Sequence, residues 1–282
     1  MPLTDTNFNK ENVVLREQEL AELLKKIKKV ENVMDRKLAV VILAAGLGKR
    51  MQSPDKPKVM FEIGGRPMID YVVELAFKVN ADKVVPIVGH HKEQVIDFLR
   101  NKFVGKNIEI AIQEEQIGTG HALMQTENLL KNFDGEVLIL SGDVPLLKYE
   151  TVKKLIDEHL KSNNDAALLT TVFNDSSGYG RIVRDGNDKF LKIVEEKDAT
   201  DDEKKIKEIN PAIYIVNSKV LFDTLKKITP NNNQKEYYLT DIFHFIPKEK
   251  IGTVVTYDEL EVTGVNSIEQ LKEMEETLNS RN

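Results

Sequence analysis

Leu38-Ala39-Val40-Val41-Ile42-Leu43-Ala44-Ala45 contains no polar side chain and runs straight into Gly46-Leu47-Gly48-Lys49-Arg50-Met51. A strand with one wet face alternates apolar with polar residues; a continuous apolar run suits a strand of a parallel sheet covered by helices on both faces. Working outward, strands are predicted at Lys83–Val88, Ile108–Ile112, Glu136–Leu140 and Ala166–Val172. Helical periodicity separates them at Met68–Val79, Lys92–Asn101, Gly120–Lys131 and Thr151–Leu160. This alternation predicts an α/β fold with a doubly wound, mostly parallel, Rossmann-like sheet. Right-handed crossovers bring the loops after the strands to one sheet edge, where such folds bind ligands. Beyond about Ser177 the rhythm becomes β-rich. Arg181–Arg184 and Phe190–Glu195 flank the turn Asp185-Gly186-Asn187-Asp188, and Ile209–Val216 reads as one more strand. Ser218–Lys227 and Tyr238–Phe245 read as helices, Thr253–Thr256 as a strand and Ile268–Leu278 as a closing helix.

The 282 residues suffice for one large domain, or for one domain with an appendage. Residues 1–37 read as the appendage: a polar start, then an amphipathic helix carrying Leu20, Leu23, Leu24, Ile27 and Val30. Residues 38–282 read as the main domain. The net charge of −6 is the wrong sign for a chain that lives on polymeric nucleic acid, where phosphate neutralisation supplies most of the affinity. The absence of Cys excludes disulfides, thiolate metal sites and Cys nucleophiles. No apolar run approaches the ~18 residues of a membrane span, and the N-terminus has no apolar signal core. The expectation is a soluble, cytoplasmic protein with no membrane partner; association into a homo-oligomer stays open.

Three loops carry candidate chemistry. The glycine-rich turn after the first strand lets backbone N–H groups approach phosphate oxygens, with Arg50 and Lys58 as cations nearby. Alone it is equally a tight structural turn. It is neither a Walker sequence nor a full dinucleotide fingerprint, because the third glycine is missing. After the third strand comes Gln113-Glu114-Glu115-Gln116-Ile117-Gly118-Thr119-Gly120-His121-Ala122, whose amides suit the donor and acceptor edge of a pyrimidine. After the apolar run Val137–Leu140 comes Ser141-Gly142-Asp143-Val144-Pro145. A carboxylate at the end of a buried strand beside a phosphate loop is a natural Mg²⁺ ligand.

With these loops stand Gly178-Tyr179-Gly180-Arg181-Ile182, Val194-Glu195-Glu196-Lys197-Asp198-Ala199-Thr200, Glu236-Tyr237-Tyr238-Leu239-Thr240-Asp241 and Gly264-Val265-Asn266. In that order the set resembles the uridylyltransferase domain of bacterial N-acetylglucosamine-1-phosphate uridylyltransferases, in the nucleotide-diphospho-sugar transferase superfamily. The resemblance covers Leu38 to about Leu278. It implies a nucleotide-binding part at about 38–176, a sugar-binding part at about 177–266 and a C-terminal helix at 267–282. UTP contacts are implied at Leu43, Ala44, Ala45, Gly46, Lys58, Gln113, Gln116, Gly118 and Thr119. Substrate contacts are implied at Gly142, Asp143, Gly180, Glu195, Asn210 and Asn266, with Asp143 and Asn266 sharing Mg²⁺. The reaction implied is attack of N-acetylglucosamine 1-phosphate on the α-phosphorus of UTP, with Arg50 and Lys58 as catalytic cations.

Departures from the family pattern sharpen the expectations. Lys49 stands where Thr or Ser is usual, and either adds a phosphate contact or faces solvent. Asn210-Pro211-Ala212 replaces Asn-Thr-Gly or Asn-Ser-Gly, which opens the alternative of another hexose 1-phosphate. Bifunctional members continue into a left-handed β-helix that acetylates glucosamine 1-phosphate; this chain ends after the linking helix and is expected to lack that activity. A catalytically silent sensor is the other alternative, disfavoured because Lys58, Asp143 and Asn266 are all present. The pair His90-His91 reads as two side chains facing different ways rather than as a metal site.

Overall fold

The computed structural model describes residues 36–51 and 55–281, together with Leu20. The helix predicted to carry Leu20, Leu23, Leu24, Ile27 and Val30, Leu20 itself apart, and the side chain of Lys49 lie outside the described residues. The chain divides into two compact units, Met1–Arg36 and Lys37–Asn282.

In the second unit β1 (Lys37–Ala44) is followed by the short hairpin β2 (Glu62–Ile63) and β3 (Arg66–Pro67), then α1 (Met68–Lys78), β4 (Lys83–Val88) and α2 (Lys92–Lys102). Next come β5 (Ala111–Ile112), α3 (Thr119–Met124), α4 (Glu127–Leu130), β6 (Gly135–Ser141), α5 (Tyr149–Ser162) and β7 (Ala166–Val172). The rest is β8 (Gly180–Arg184), β9 (Phe190–Val194), β10 (Glu208–Asn210), β11 (Tyr214–Asn217), α6 (Ser218–Leu225), β12 (Ile251–Thr256), α7 (Glu259–Val262) and α8 (Ile268–Arg281). Apart from the hairpin the strands form one sheet in the order β5-β4-β1-β6-β11-β7-β10-β8-β9, with β12 paired to β7. The β5-β4-β1-β6 half is parallel, as expected; β11 then enters antiparallel between β6 and β7.

The register explains why the deciding run carries no polar residue. Val41 of β1 sits between Val85 and Ile139 on its two neighbours. Val40, Ile42 and Ala44 pack into one layer with Val72 and Ala76 of α1, Leu99 of α2 and Leu155 of α5. Ala39 and Val41 pack into the opposite layer with Leu123, Leu130 and Leu221. Each buried Val, Ile or Leu contributes about 1.5–3 kcal/mol, so neither face tolerates a charge. A smaller cluster of Met51, Ile63, Met68, Val265 and Met274 seals the end of the chain against the first loop.

Four expectations are corrected or refined. Ile209–Val216 is two strands: Pro211 has no N–H to donate, Ala212 takes φ +59°, and the chain switches partners from β7 and β8 to β6 and β7. Gly120–Lys131 breaks into two helices at Thr126, which is buried and donates its hydroxyl to the Leu123 carbonyl at 2.7 Å instead of continuing the ladder. Ile108–Ile112 forms a ladder only at Ala111–Ile112, with an isolated bridge from Ile108 to Val84. The segment at 238–245 is a 3-10 helix, Leu239–His244.

The left-handed conformation of Ala212 costs about 1–2 kcal/mol that a glycine would not incur, partly offset by the greater freedom of unfolded glycine. Ala212→Gly should therefore raise the thermal midpoint by about 1–3 °C, measured by calorimetry; a lower midpoint would contradict the strain.

Candidate active site

The loops after β1, β5 and β6 meet at one edge of the sheet and line a hollow of about 390 Å³. Leu43, Ala44, Ala45, Gly46, Lys58, Gln113, Gln116, Gly118, Thr119 and Asp143 all line it. Gln113 is buried and donates to the Gly118 carbonyl at 3.1 Å, with His121 Nδ1 also 3.1 Å away. Gln116 donates to the Gln113 carbonyl at 2.9 Å. His121 thus braces the loop. Gly118 takes φ +120°, and a Cβ there would lie 2.6 Å from the Tyr237 nitrogen. That close approach has a purpose: Tyr237 N–H donates to the Ile117 carbonyl at 2.9 Å and Gly120 N–H to the Tyr237 carbonyl at 2.7 Å. A segment distant in sequence thus pins this loop.

Asp143 follows the last residue of β6 by two positions, after Gly142 extends the ladder by donating to the Leu43 carbonyl at 2.9 Å. Its side chain and that of Asn266 converge. The Lys58 ammonium donates to Asp143 Oδ2 and, at 3.1 Å, to Asn266 Oδ1. Val265 N–H donates to the Asp143 carbonyl at 2.9 Å, locking the two segments together. Among the described residues lining this hollow and its neighbour, Lys58 carries the one positive charge against Asp143, Glu195 and Glu236. A polyanionic ligand needs more cationic charge than that. The donor set fits Mg²⁺: one carboxylate and one amide oxygen point at a place where an ammonium already sits. No cluster of three or more His, Asp or Glu forms among the described residues. Phosphate oxygens and water would complete the shell, as Mg²⁺ prefers. Arg50 lies exposed on the 3-10 turn Lys49–Met51, outside both linings; burial pushes the nearby Tyr179 phenol above its ordinary value, with the Arg50 charge a small opposing influence.

A second hollow of about 340 Å³ adjoins the first and shares Leu43, Thr119, Ser141, Asp143, Ala212 and Glu236 with it. Gly180, Glu195, Asn210 and Asn266 line it. Asn210 is buried; its amide donates to the Tyr214 hydroxyl at 2.7 Å and accepts from Ala212 N–H at 3.1 Å. Glu195 accepts from the Thr240 hydroxyl at 2.8 Å. Burial pushes its carboxyl above the ordinary value, the Thr240 bond opposes that, and the charges of Asp241, Asp198 and Glu236 push it further up. Gly180 approaches closely: a Cβ there would lie 3.4 Å from Glu195 Oε2.

Every residue singled out in the sequence for nucleotide, sugar or metal thus lines this double hollow except Arg50 and Gly142; a Cβ at Gly142 would meet the Leu43 carbonyl at 2.9 Å. Several lining residues were not anticipated. Glu236 lines both hollows, and Tyr238 and Thr240 line the second. Asp198 accepts from the Tyr238 hydroxyl at 3.0 Å and from Asn233 N–H at 2.9 Å, so it braces Tyr238. The Tyr238 hydroxyl is pushed up to about 12, chiefly by burial. The motif at 236–241 was the available signal for Glu236, Tyr238 and Thr240. The His90 and His91 rings lie 3.9 Å apart rather than facing apart, because His91 adopts φ +53°.

A family model described as Nucleotidyl transferase matches residues 39–255. The bifunctional protein GlmU of Caldanaerobacter subterraneus subsp. tengcongensis is 46% identical over 246 residues, 86% of this chain and 52% of that protein. The protein of the same name from Thermosipho melanesiensis is 46% identical over 241 residues, 86% of this chain and 50% of the relative. The chain spans about half the length of these curated relatives. Among solved structures, a putative glucose-1-phosphate thymidylyltransferase from Bacillus anthracis superposes with a TM-score of 0.69 at 21% identity, covering 87% of this chain and 96% of that one. A UDP-glucose pyrophosphorylase complexed with UDP-glucose superposes with a TM-score of 0.70 at 18% identity, covering 87% and 100%. At these identities the likeness is one of fold. Among the described residues no helix is long and apolar enough to cross a membrane.

Because Glu195 has a folded pKa above its unfolded one, the ionised carboxylate costs stability above the folded value, and the cost is relieved as the pH falls. Glu195→Gln should therefore gain thermal midpoint relative to the unsubstituted protein, and gain more at pH 8 than at pH 5. A gain that is larger at pH 5 would contradict the buried-carboxylate account.

Proposed function

The chain belongs to the nucleotidyl transferase family, and from that premise we propose that it makes UDP-N-acetylglucosamine and pyrophosphate from UTP and N-acetylglucosamine 1-phosphate in the cytoplasm. The observation that carries this reading is the junction of the two hollows. Asp143 lines both, and Lys58 and Asn266 reach it there. A sugar 1-phosphate in one hollow and a nucleotide in the other would bring their phosphates together at that point.

In this reading Gln113 and Gln116 bind the uracil edge through backbone and amide groups, while Gly118 and Thr119 lie against the base and ribose. Ala44, Ala45 and Gly46 receive the triphosphate. Glu195 and Asn210 hold the sugar hydroxyls and acetamido group, with Gly180 leaving them room. An oxygen of the sugar phosphate attacks the α-phosphorus, the bond to the bridging oxygen breaks, and pyrophosphate leaves with the electron pair. Such transfer needs positioning and charge neutralisation rather than a protein nucleophile. Asp143 and Asn266 would hold Mg²⁺, which supplies positive charge to the phosphate oxygens when bound. Lys58, released from Asp143, turns its ammonium to the phosphates, and Arg50 at the rim meets the departing pyrophosphate.

A panel of sugar 1-phosphates in a pyrophosphate-release assay tests the substrate assignment. N-acetylglucosamine 1-phosphate is expected to exceed the glucose and galactose analogues in kcat/KM. Preference for either of those would favour the second reading, another hexose 1-phosphate, which the Ala212 methyl beside both hollows motivates. Asp143→Asn should lower kcat by roughly a hundredfold or more with a thermal midpoint close to that of the unsubstituted protein. Turnover within threefold of the unsubstituted protein would refute the role of Asp143.

A further inference from the structure

We propose that Tyr179 is a positioning residue: its phenol oxygen holds the Gly264-Val265-Asn266 segment so that the Asn266 amide oxygen stays aimed at the point it shares with Asp143. The inference deepens the reading above and rests on the metal role assigned there to Asp143 and Asn266.

Three successive N–H groups of that segment go to three different parts of the chain. Gly264 N–H donates to the Tyr179 hydroxyl oxygen at 3.3 Å, Val265 N–H to the Asp143 carbonyl at 2.9 Å, and Asn266 N–H to Gln270 Oε1 at 2.8 Å. The Asn266 side chain closes the arrangement by donating Nδ2 to the Gly264 carbonyl at 3.1 Å, which leaves Oδ1 facing Lys58 and Asp143. Val265 is anchored by its fully buried side chain. Gly264 has no side chain to anchor, so its peptide orientation depends on what its N–H meets. That partner is Tyr179.

Tyr179 is itself well held. Its ring stands edge-on to Phe173 at 5.1 Å and 77°. Its carbonyl accepts from the buried Arg181, whose guanidinium pairs with Glu196 at 2.8 Å. Tyr179 also lies one residue before Gly180 and lines the sugar-side hollow. The hydroxyl therefore ties the wall that would receive the sugar to the segment that would hold the metal. The phenol accepts one hydrogen bond from Gly264 and keeps its own proton, so the tie requires no ionisation.

The test is Tyr179→Phe in the full chain, which deletes the acceptor and keeps the ring. The affinity of the UTP complex for Mn²⁺ is read by electron paramagnetic resonance, alongside steady-state kinetics. The loss of one hydrogen bond predicts Mn²⁺ affinity about fivefold weaker and kcat lower by a similar factor, with KM for UTP nearly unchanged. Unchanged Mn²⁺ affinity would overturn the proposal, whatever happened to kcat. Phe173→Leu, which loosens the ring and keeps the hydroxyl, serves as the second variant. It should lower the thermal midpoint while Mn²⁺ affinity is retained; an equal loss of affinity in both variants would mark a general packing effect and overturn the proposal. A distinct failure belongs to the metal reading: if Asp143→Asn leaves Mn²⁺ binding by the UTP complex intact, Asp143 is no ligand, and the assignment of Asn266 falls with it.

Discussion

Two oxygens of opposite chemical character, the carboxylate of Asp143 and the amide oxygen of Asn266, converge on a single cation position. In this structure the Lys58 ammonium fills it. Lys58 and Asn266 are 208 residues apart in sequence, so only the complete sheet can bring them together. Asp143 is delivered by the end of β6, in the rigid parallel half of the sheet. Asn266 comes from the segment after α7, tied back through Val265 to the Asp143 backbone and to the Met51 cluster. A slip in either element would leave a partly buried carboxylate without its counter-charge, which is costly. The fold is therefore under electrostatic as well as packing constraint at this point.

The rest of the site follows from the charge distribution around that position. Asp143, Glu195 and Glu236 make the lining of the second hollow acidic, and Glu195 sits among Asp198, Glu236 and Asp241. On the proposed reading such a wall would suit neutral hydroxyl and amide groups and repel phosphate, so that a sugar phosphate would turn its anionic end toward Lys58 and the cation position. The first hollow has a different character: small residues and amides, shaped by Gly118 and braced by His121. Specificity and chemistry thus separate onto two walls that meet at Asp143.

Much of this was legible in the sequence. The apolar run at 38–45 reads as a doubly covered strand because every residue in it is either between two strands or under a helix. The strands at 83–88 and 166–172 were placed to the residue. The candidate residues at 43–46, 58, 113, 116, 118, 119, 143, 180, 195, 210 and 266 lie together because most of their motifs sit at strand ends of a sheet whose topology fixes that edge. What stayed hidden was non-local or torsional. Nothing near Gly118 announces that Tyr237 will pin it, and nothing around Asp198 announces the Tyr238 hydroxyl. The break at Pro211-Ala212 needed the strand partners, since eight residues of apolar character look like one strand until the pairing on each side is known. Arg50 is exposed and lies outside the linings of both hollows, on a turn whose Met51 is buried.

The most direct measurement of the central claim is a crystal structure of the protein with Mg²⁺, a non-reacting UTP analogue and N-acetylglucosamine 1-phosphate. The account predicts a metal ion within about 2.1 Å of both an Asp143 carboxylate oxygen and the Asn266 amide oxygen. Lys58 should be moved off Asp143 onto a phosphate, with uracil against Gln113 and the sugar against Glu195. A metal bound elsewhere, with Lys58 still bridging Asp143 and Asn266 in the ternary complex, would contradict it.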